Sequence, residues 1–273
     1  MNWTRRFLQP PLALLALALA ACGCLEYRNV VVVRPDGSGQ IEVTAVYLPE
    51  TVKDLQLLAG THAAAQQALG SFICDEDQLR LEAKAFGEDV QFKRVEAINR
   101  DDGGRGFTAV YTFADVGKIK IGKLLLGRRE KPAASPFPQP EYTFALDKLP
   151  QQAATLTIKV TVPHQKAKTT PQLADGEALT RQLRTLRTVL KGFRGSFEVR
   201  VEGKVRETNA RHYAAETGTV TLLEVDADRL LADDNAATNV LKLGQDELPA
   251  LAELNTPGLK LQDFTQPLTI RFE

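Results

Sequence analysis

Sulfur, imidazole and hydroxyl nucleophiles are all scarce in this chain. Of its 273 residues, cysteine occurs only as Cys22, Cys24 and Cys74, histidine only as His62, His164 and His212, and serine only as Ser38, Ser71, Ser135 and Ser196. None of the serines stands between two glycines at nucleophile-elbow spacing. The histidines are scattered, with no pair at metal-ligand spacing. Cys74 has no histidine nearby in sequence to act as its base. A surplus of either charge is lacking as well, with 34 basic residues against 34 acidic ones. That balance argues against nucleic acid as a partner, because a nucleic-acid binder needs a strong basic footprint. These scarcities point away from hydrolase chemistry and from cofactors: the expectation is that the chain is not an enzyme.

A long apolar run is missing too. Leu12 to Ala21 is an unbroken run of Leu and Ala, about half of the roughly 20 apolar residues a membrane-crossing helix requires. It follows Arg5 and Arg6, so residues 1–21 have the layout of a secretory signal. The run ends in Leu19-Ala20-Ala21-Cys22, which resembles the bacterial lipobox. That resemblance implies cleavage after Ala21, a diacylglyceryl group on the Cys22 sulfur, and a membrane partner reached through acyl chains. Each buried methylene contributes about 0.8 kcal/mol, so one chain binds reversibly while two or three hold firmly. The residue after the cysteine is Gly23 and not Asp. In the lipobox family this favours the periplasmic face of an outer membrane over retention at the inner one.

Cleavage would remove Arg5 and Arg6 but no carboxylate, so the body after residue 21 would carry 32 basic and 34 acidic residues. With Cys22 acylated, Cys24 and Cys74 remain. Outside the inner membrane they can pair as a disulfide or stay as separate thiols, and spacing does not decide between the two.

Along the body, the sequence is read as α+β, with helices covering antiparallel sheets. Leu25–Arg34, with four successive valines, reads as a strand, and Pro35-Asp36-Gly37-Ser38-Gly39 as a turn. Ile41, Val43, Ala45 and Tyr47 alternate in a second strand. Helices are expected over 50–70 and 75–85. Strands follow at 90–98, with a bulge near Lys93, and at 107–113, after which Asp115 opens a helical turn. Pro132, Pro136, Pro138 and Pro140 stiffen a linker or loop at 132–140. It would separate an N-terminal unit (22–131) from a C-terminal unit (141–273). Strands at 141–147 and 153–162, a helix at 172–191, strands at 196–206 and 218–225 and a short helix opened by Asp226 come next. That order repeats the first half and suggests tandem strand-strand-helix-strand-strand units. A helix at 246–254 and a strand at 265–272 close the chain.

The lipobox, the immediate strand, the Asp36-Gly37-Ser38-Gly39 turn and Phe197-Glu198-Val199-Arg200-Val201 leading to Thr208-Asn209-Ala210 together resemble the LppM-type envelope lipoproteins. Glu202-Gly203 stands where those proteins often have Pro-Gly. The resemblance implies a non-catalytic envelope protein in contact with lipid or glycolipid, and supplies no catalytic residue.

Four local patterns bear on chemistry. Gly117 to Lys123 approaches a P-loop, but Leu124 stands where a magnesium-binding hydroxyl belongs. Asp226-Ala227-Asp228 fails as a calcium loop because Leu230 takes the third ligand position. In the helix over 177–191, Leu179, Leu183, Leu186 and Leu190 form an apolar face, while Arg181, Arg184, Arg187 and Lys191 recur on another. Such a stripe, short of intrahelical carboxylates, suits an anionic lipid headgroup or an acidic envelope protein. Otherwise it is a solvated face or pairs elsewhere in the fold. A second basic segment, Lys118, Lys120, Lys123, Arg128, Arg129 and Lys131, surrounds Leu124-Leu125-Leu126. It suits a membrane surface or a charged edge strand.

Overall fold

The valine run near the start becomes a central strand, and two sheets are assembled around it. The computed structural model describes residues 25–59, 73–122, 140–148, 153–161, 176–242 and 256–273, with the single residues Gly70 and Glu253. Strand β1 (Leu25–Val33) lies between β2 (Gly39–Tyr47), antiparallel to it, and β8 (Arg194–Val201), parallel to it. From Asn29 onward β1 is buried on both faces, which is why its sequence is a continuous apolar run with little alternation. The β1–β2 turn is closed by Asp36, whose Oδ1 accepts from the Ser38 N–H (2.9 Å) and hydroxyl (2.7 Å). Gly37 supplies the positive φ of 83° that this turn needs.

From β2 the chain runs through α1 (Pro49–Ala59) and α2 (Glu76–Phe86) to the hairpin of β3 (Gln91–Asn99) and β4 (Arg105–Phe113). Helix α2 starts where its capping residue dictates: Asp75 accepts from the Gln78 N–H at 3.1 Å, leaving Leu79, Ala83 and Phe86 on one buried face. The bulge expected near Lys93 is there, as a register shift between Phe92 and Arg94. Asp115 caps a 3₁₀ turn (Val116–Lys118) ahead of β5 (Lys120–Ile121).

The larger sheet is completed by residues far along the chain. Strand β11 (Thr219–Asp226) pairs with β8, and both β10 (Tyr213–Ala214) and β12 (Leu259–Leu261) pair with β11. The order is β10-β11-β8-β1-β2-β4-β3. The smaller sheet runs β5-β6-β7-β13-β9, with β6 (Glu141–Asp147), β7 (Ala154–Thr161), β9 (Val205–Thr208) and β13 (Leu268–Phe272). The class is α+β, with one parallel pair (β1–β8) among otherwise antiparallel pairings of the described strands.

The similar element order on either side of 132–140 does not produce two like sheets. The 194–201 and 219–226 strands join the sheet begun by β1, while 141–147 and 154–161 belong to the other. The single strand expected over 196–206 is also divided. The Glu202 N–H bonds the Val33 carbonyl (2.8 Å), Gly203 adopts a φ of 151°, and Lys204 exchanges backbone bonds with Glu273 at 2.7 and 3.1 Å. This three-residue corner carries the chain from one sheet to the other, and a side chain at 203 would collide with the Glu273 carbonyl.

Both sheets contribute to a single core. The Tyr142 ring of the smaller sheet meets Phe197 of the larger edge-on, with centroids 4.7 Å apart, and Phe86 of α2 meets Tyr111 at 5.0 Å. Helices α3 (Gly176–Val189), α4 (Ala227–Ala232) and α5 (Asp234–Lys242) add Leu183, Leu231 and Ala237 to the same core. Helix α5 was not anticipated: Asp234-Asn235-Ala236-Ala237-Thr238-Asn239 has weak helix propensity, and packing of Ala237 holds it. The helix expected over 50–70 is seen as α1, and the one expected over 246–254 lies outside the described residues apart from Glu253.

Candidate functional site

Alternation along the central strands gives the larger sheet an apolar inner face and a polar outer one. On the outer face, opposite charges pair diagonally across strands and, on β3, along one strand. Arg28 makes a two-pronged contact with Glu198 (3.1 and 2.7 Å), Arg200 reaches Glu42 at 3.2 Å, and Arg94 pairs with Glu96 at 2.7 Å. The Thr44 and Thr108 hydroxyls meet at 3.0 Å between them. On the same face as these pairs Val30, Val32 and Val110 are buried. The surface neutralises itself.

One end of this sheet gathers more varied groups. The register places Leu25 opposite Tyr47, Tyr47 opposite Arg105, and Arg105 opposite Asn99. On the other side Glu26 faces Arg194, which faces Asp226. Arg100 and Arg194 both reach Glu26, the second at 3.7 Å, and Arg194 also approaches Asp226 at 3.5 Å. A cleft of about 370 Å³ opens here between α1 and the β3–β4 turn, lined by Val52, Lys53, Gln56, Arg100, Gly104 and Arg105 among others. Nothing in the local sequence marks it, since it exists only where α1 crosses a turn some fifty residues later in the chain.

Cys22 and Cys24 lie outside the described residues, so the Cys24–Cys74 pairing has no geometry to describe. Cys74 is half-buried against the core, and its N–H bonds the Gly70 carbonyl at 2.9 Å. In α3, Leu183 is buried and Leu186 and Leu190 pack against the core, while the Leu179 side chain lies outside the described residues. The contacts of the basic stripe differ from one residue to the next. Arg187 is committed to its neighbours, donating Nε to the Leu231 carbonyl at 2.8 Å and pairing with Asp234. Arg181, Arg184 and Lys191 are exposed, and among the described residues they have no carboxylate partner.

The other patterns resolve into structural work. The Gly117 N–H, which a P-loop would offer to phosphate, is taken by Asp115 Oδ1 at 2.8 Å, and Lys118 pairs with Asp89 at 2.7 Å. That carboxylate raises the Lys118 pKa, first through the hydrogen bond and then through its charge. Lys123, Leu124, Arg128, Arg129 and Lys131 lie outside the described residues, as do His62 and His164. Asp226 caps α4 through the Arg229 N–H (3.1 Å), and Asp228 accepts from the Gly192 N–H (2.9 Å). Among the described residues no group of His, Cys, Asp and Glu side chains could hold a metal ion, and no helix is long and apolar enough to cross a membrane.

Asn29 and Tyr142 place polar groups in the core. Asn29 is fully buried in β1 between Val43 and Phe197, with neither amide atom hydrogen-bonded. The Tyr142 hydroxyl, on the ring that meets Phe197, is also without a hydrogen-bond partner, and burial pushes its pKa well up. The available signal was a polar residue at a core-facing position, two before Val31 and two after Tyr27. His212, half-buried, has its pKa lowered, chiefly by desolvation and further by Arg211 and Lys260, against a bond to the Leu261 backbone.

No protein family and no curated protein matches this chain. Among solved structures it is similar to the NMR structure of the folded domain of the LppM protein of Mycobacterium tuberculosis. The identity is 14%, with 92% of this chain and 90% of that one covered, at a TM-score of 0.31. The likeness assigns this chain neither a site nor an activity.

Proposed function

We propose that this chain is a lipoprotein of a bacterial cell envelope, acylated on Cys22, whose body is a non-catalytic binding or structural module. The observation that carries the reading is Leu19-Ala20-Ala21-Cys22 at the end of a short apolar run preceded by Arg5 and Arg6. The first strand of the body begins at Leu25, three residues after that cysteine. A module role is supported by how the described polar side chains are used. Asp75, Asp115 and Asp226 cap helical turns, and Arg28, Arg187 and Arg200 hold neighbouring elements together. Gly23 after the cysteine supports the periplasmic face of an outer membrane. Cys22→Ala is expected to abolish fatty-acid labelling and move the protein from the membrane to the soluble fraction. Undiminished fatty-acid labelling of Cys22→Ala protein would refute the reading.

A second reading, a carrier or sensor of anionic lipid or glycolipid, is favoured by the exposed Arg181, Arg184 and Lys191. It expects lipid to co-purify with gently extracted protein and to be lost on Arg181→Ala/Arg184→Ala; clean mass spectra from the unmutated protein count against it.

A further inference from the structure

We propose that the body stands end-on against the bilayer, with the β1-start end of the larger sheet facing the lipid and α1 setting Leu57 into the headgroup layer. This rests on acylation of Cys22.

Three residue steps separate Cys22 from Leu25. At about 3.3–3.6 Å per residue a fully extended chain spans roughly 10 Å, so the start of β1 is held within that distance of the lipid surface. The strand register carries the constraint across the sheet. Leu25, Tyr47, Arg105 and Asn99 share one end, with Arg194 and Asp226. The opposite end, at Val33, Gly39 and Phe113, is eight residue steps away along β1, or roughly 27 Å. A tether this short gives the near end a high effective concentration at the surface, while the far end can stand as far off as the sheet is long.

Helix α1 follows Tyr47 at that near end, and its Val52, Lys53 and Gln56 line the cleft with Arg100 and Arg105. Val52 is buried, whereas Leu57 is 71% exposed. Lys53, exposed, precedes Leu57 by four residues, so the two share a face. A leucine flanked by a lysine whose stem reaches back to the interface suits the boundary between headgroups and acyl chains. Net charge does not drive the contact, because Lys53, Arg100 and Arg105 are matched locally by Asp54, Asp101 and Asp102. The docking is therefore expected on uncharged phosphatidylcholine and is expected to survive raised salt. A second exposed leucine, Leu81 on α2 at 64%, provides the contrast. Its neighbour Arg80 lies over the Phe92 ring at 4.7 Å, beside the far end of β3.

The test uses the full acylated protein in phosphatidylcholine vesicles carrying a spin-labelled lipid. Trp3, the only tryptophan, precedes Cys22, so mature Leu57→Trp and Leu81→Trp proteins each report from one position. Leu57→Trp emission is expected to be quenched at least about twofold more than that of Leu81→Trp, with little change in high salt. Equal quenching, or stronger quenching at position 81, in protein whose mass shows acyl groups overturns the orientation and leaves the anchor standing. A mass without acyl groups removes the anchor, and the orientation falls with it.

Discussion

Asn29 costs the protein stability by lying where it does. Its amide is fully buried and unpaired, and an unsatisfied buried polar group costs about 1–3 kcal/mol. Leucine has nearly the same shape. Asn29→Leu is therefore expected to raise the unfolding free energy by about 1–2 kcal/mol, seen as a higher guanidinium midpoint with an unchanged slope. A lower midpoint would mean that the amide is satisfied after all. His212 sets a pH dependence of definite sign. Its folded pKa is lowered, so the unfolded chain binds the proton more readily. Stability from this residue is complete above the ordinary imidazole value of 6.5 and is lost as pH falls through it towards the lower folded value. His212→Gln should flatten the slope of stability against pH on the acid side of neutrality, and an unchanged slope would assign it to other groups.

At the scale of elements, α3 shows how one face of a helix divides its labour. Arg187 bonds a carbonyl of α4 and a carboxylate of α5, whereas Arg184, one turn earlier, is exposed. The Asp234 side chain is largely exposed, so solvent screening keeps the ion pair modest and the bond to the Leu231 carbonyl matters as much. Urea unfolding should show Arg187→Ala losing about 1–2 kcal/mol and Arg184→Ala less than about 0.5 kcal/mol. Equal losses would show that the whole stripe is structural. The periodicity of the helix was legible in its sequence; the commitment of one arginine was not, because its partners lie more than forty residues away and α5 had no signature of its own.

For the whole molecule, the pairing of β1 with β8 has the widest consequence. The larger sheet takes strands from both sides of the proline-rich stretch, and one core includes residues of both sheets. Unfolding is therefore expected to be a single cooperative transition. Tryptophans at positions 57 and 81, read separately, should report the same midpoint as far-ultraviolet circular dichroism. Two separated midpoints would instead indicate independent N- and C-terminal units.

Local chemistry was enough, by itself, to place the elements whose signals are short-range. The Asp36–Gly37 turn, the starts of helical turns at Asp75, Asp115 and Asp226, the bulge at Lys93 and the alternation of β4 all depend on residues within a few positions of one another. The pattern Leu19-Ala20-Ala21-Cys22, on which the proposed anchor rests, is likewise contiguous in the chain. Tertiary structure alone decided which strands became neighbours, that Gly203 turns the chain from one sheet to the other, that Asn29 lies unpaired in the core, and that α1 closes a cleft at the end where β1 begins. Each of these depends on contacts between distant segments, where loop closure and burial act together and no short window of sequence holds both partners.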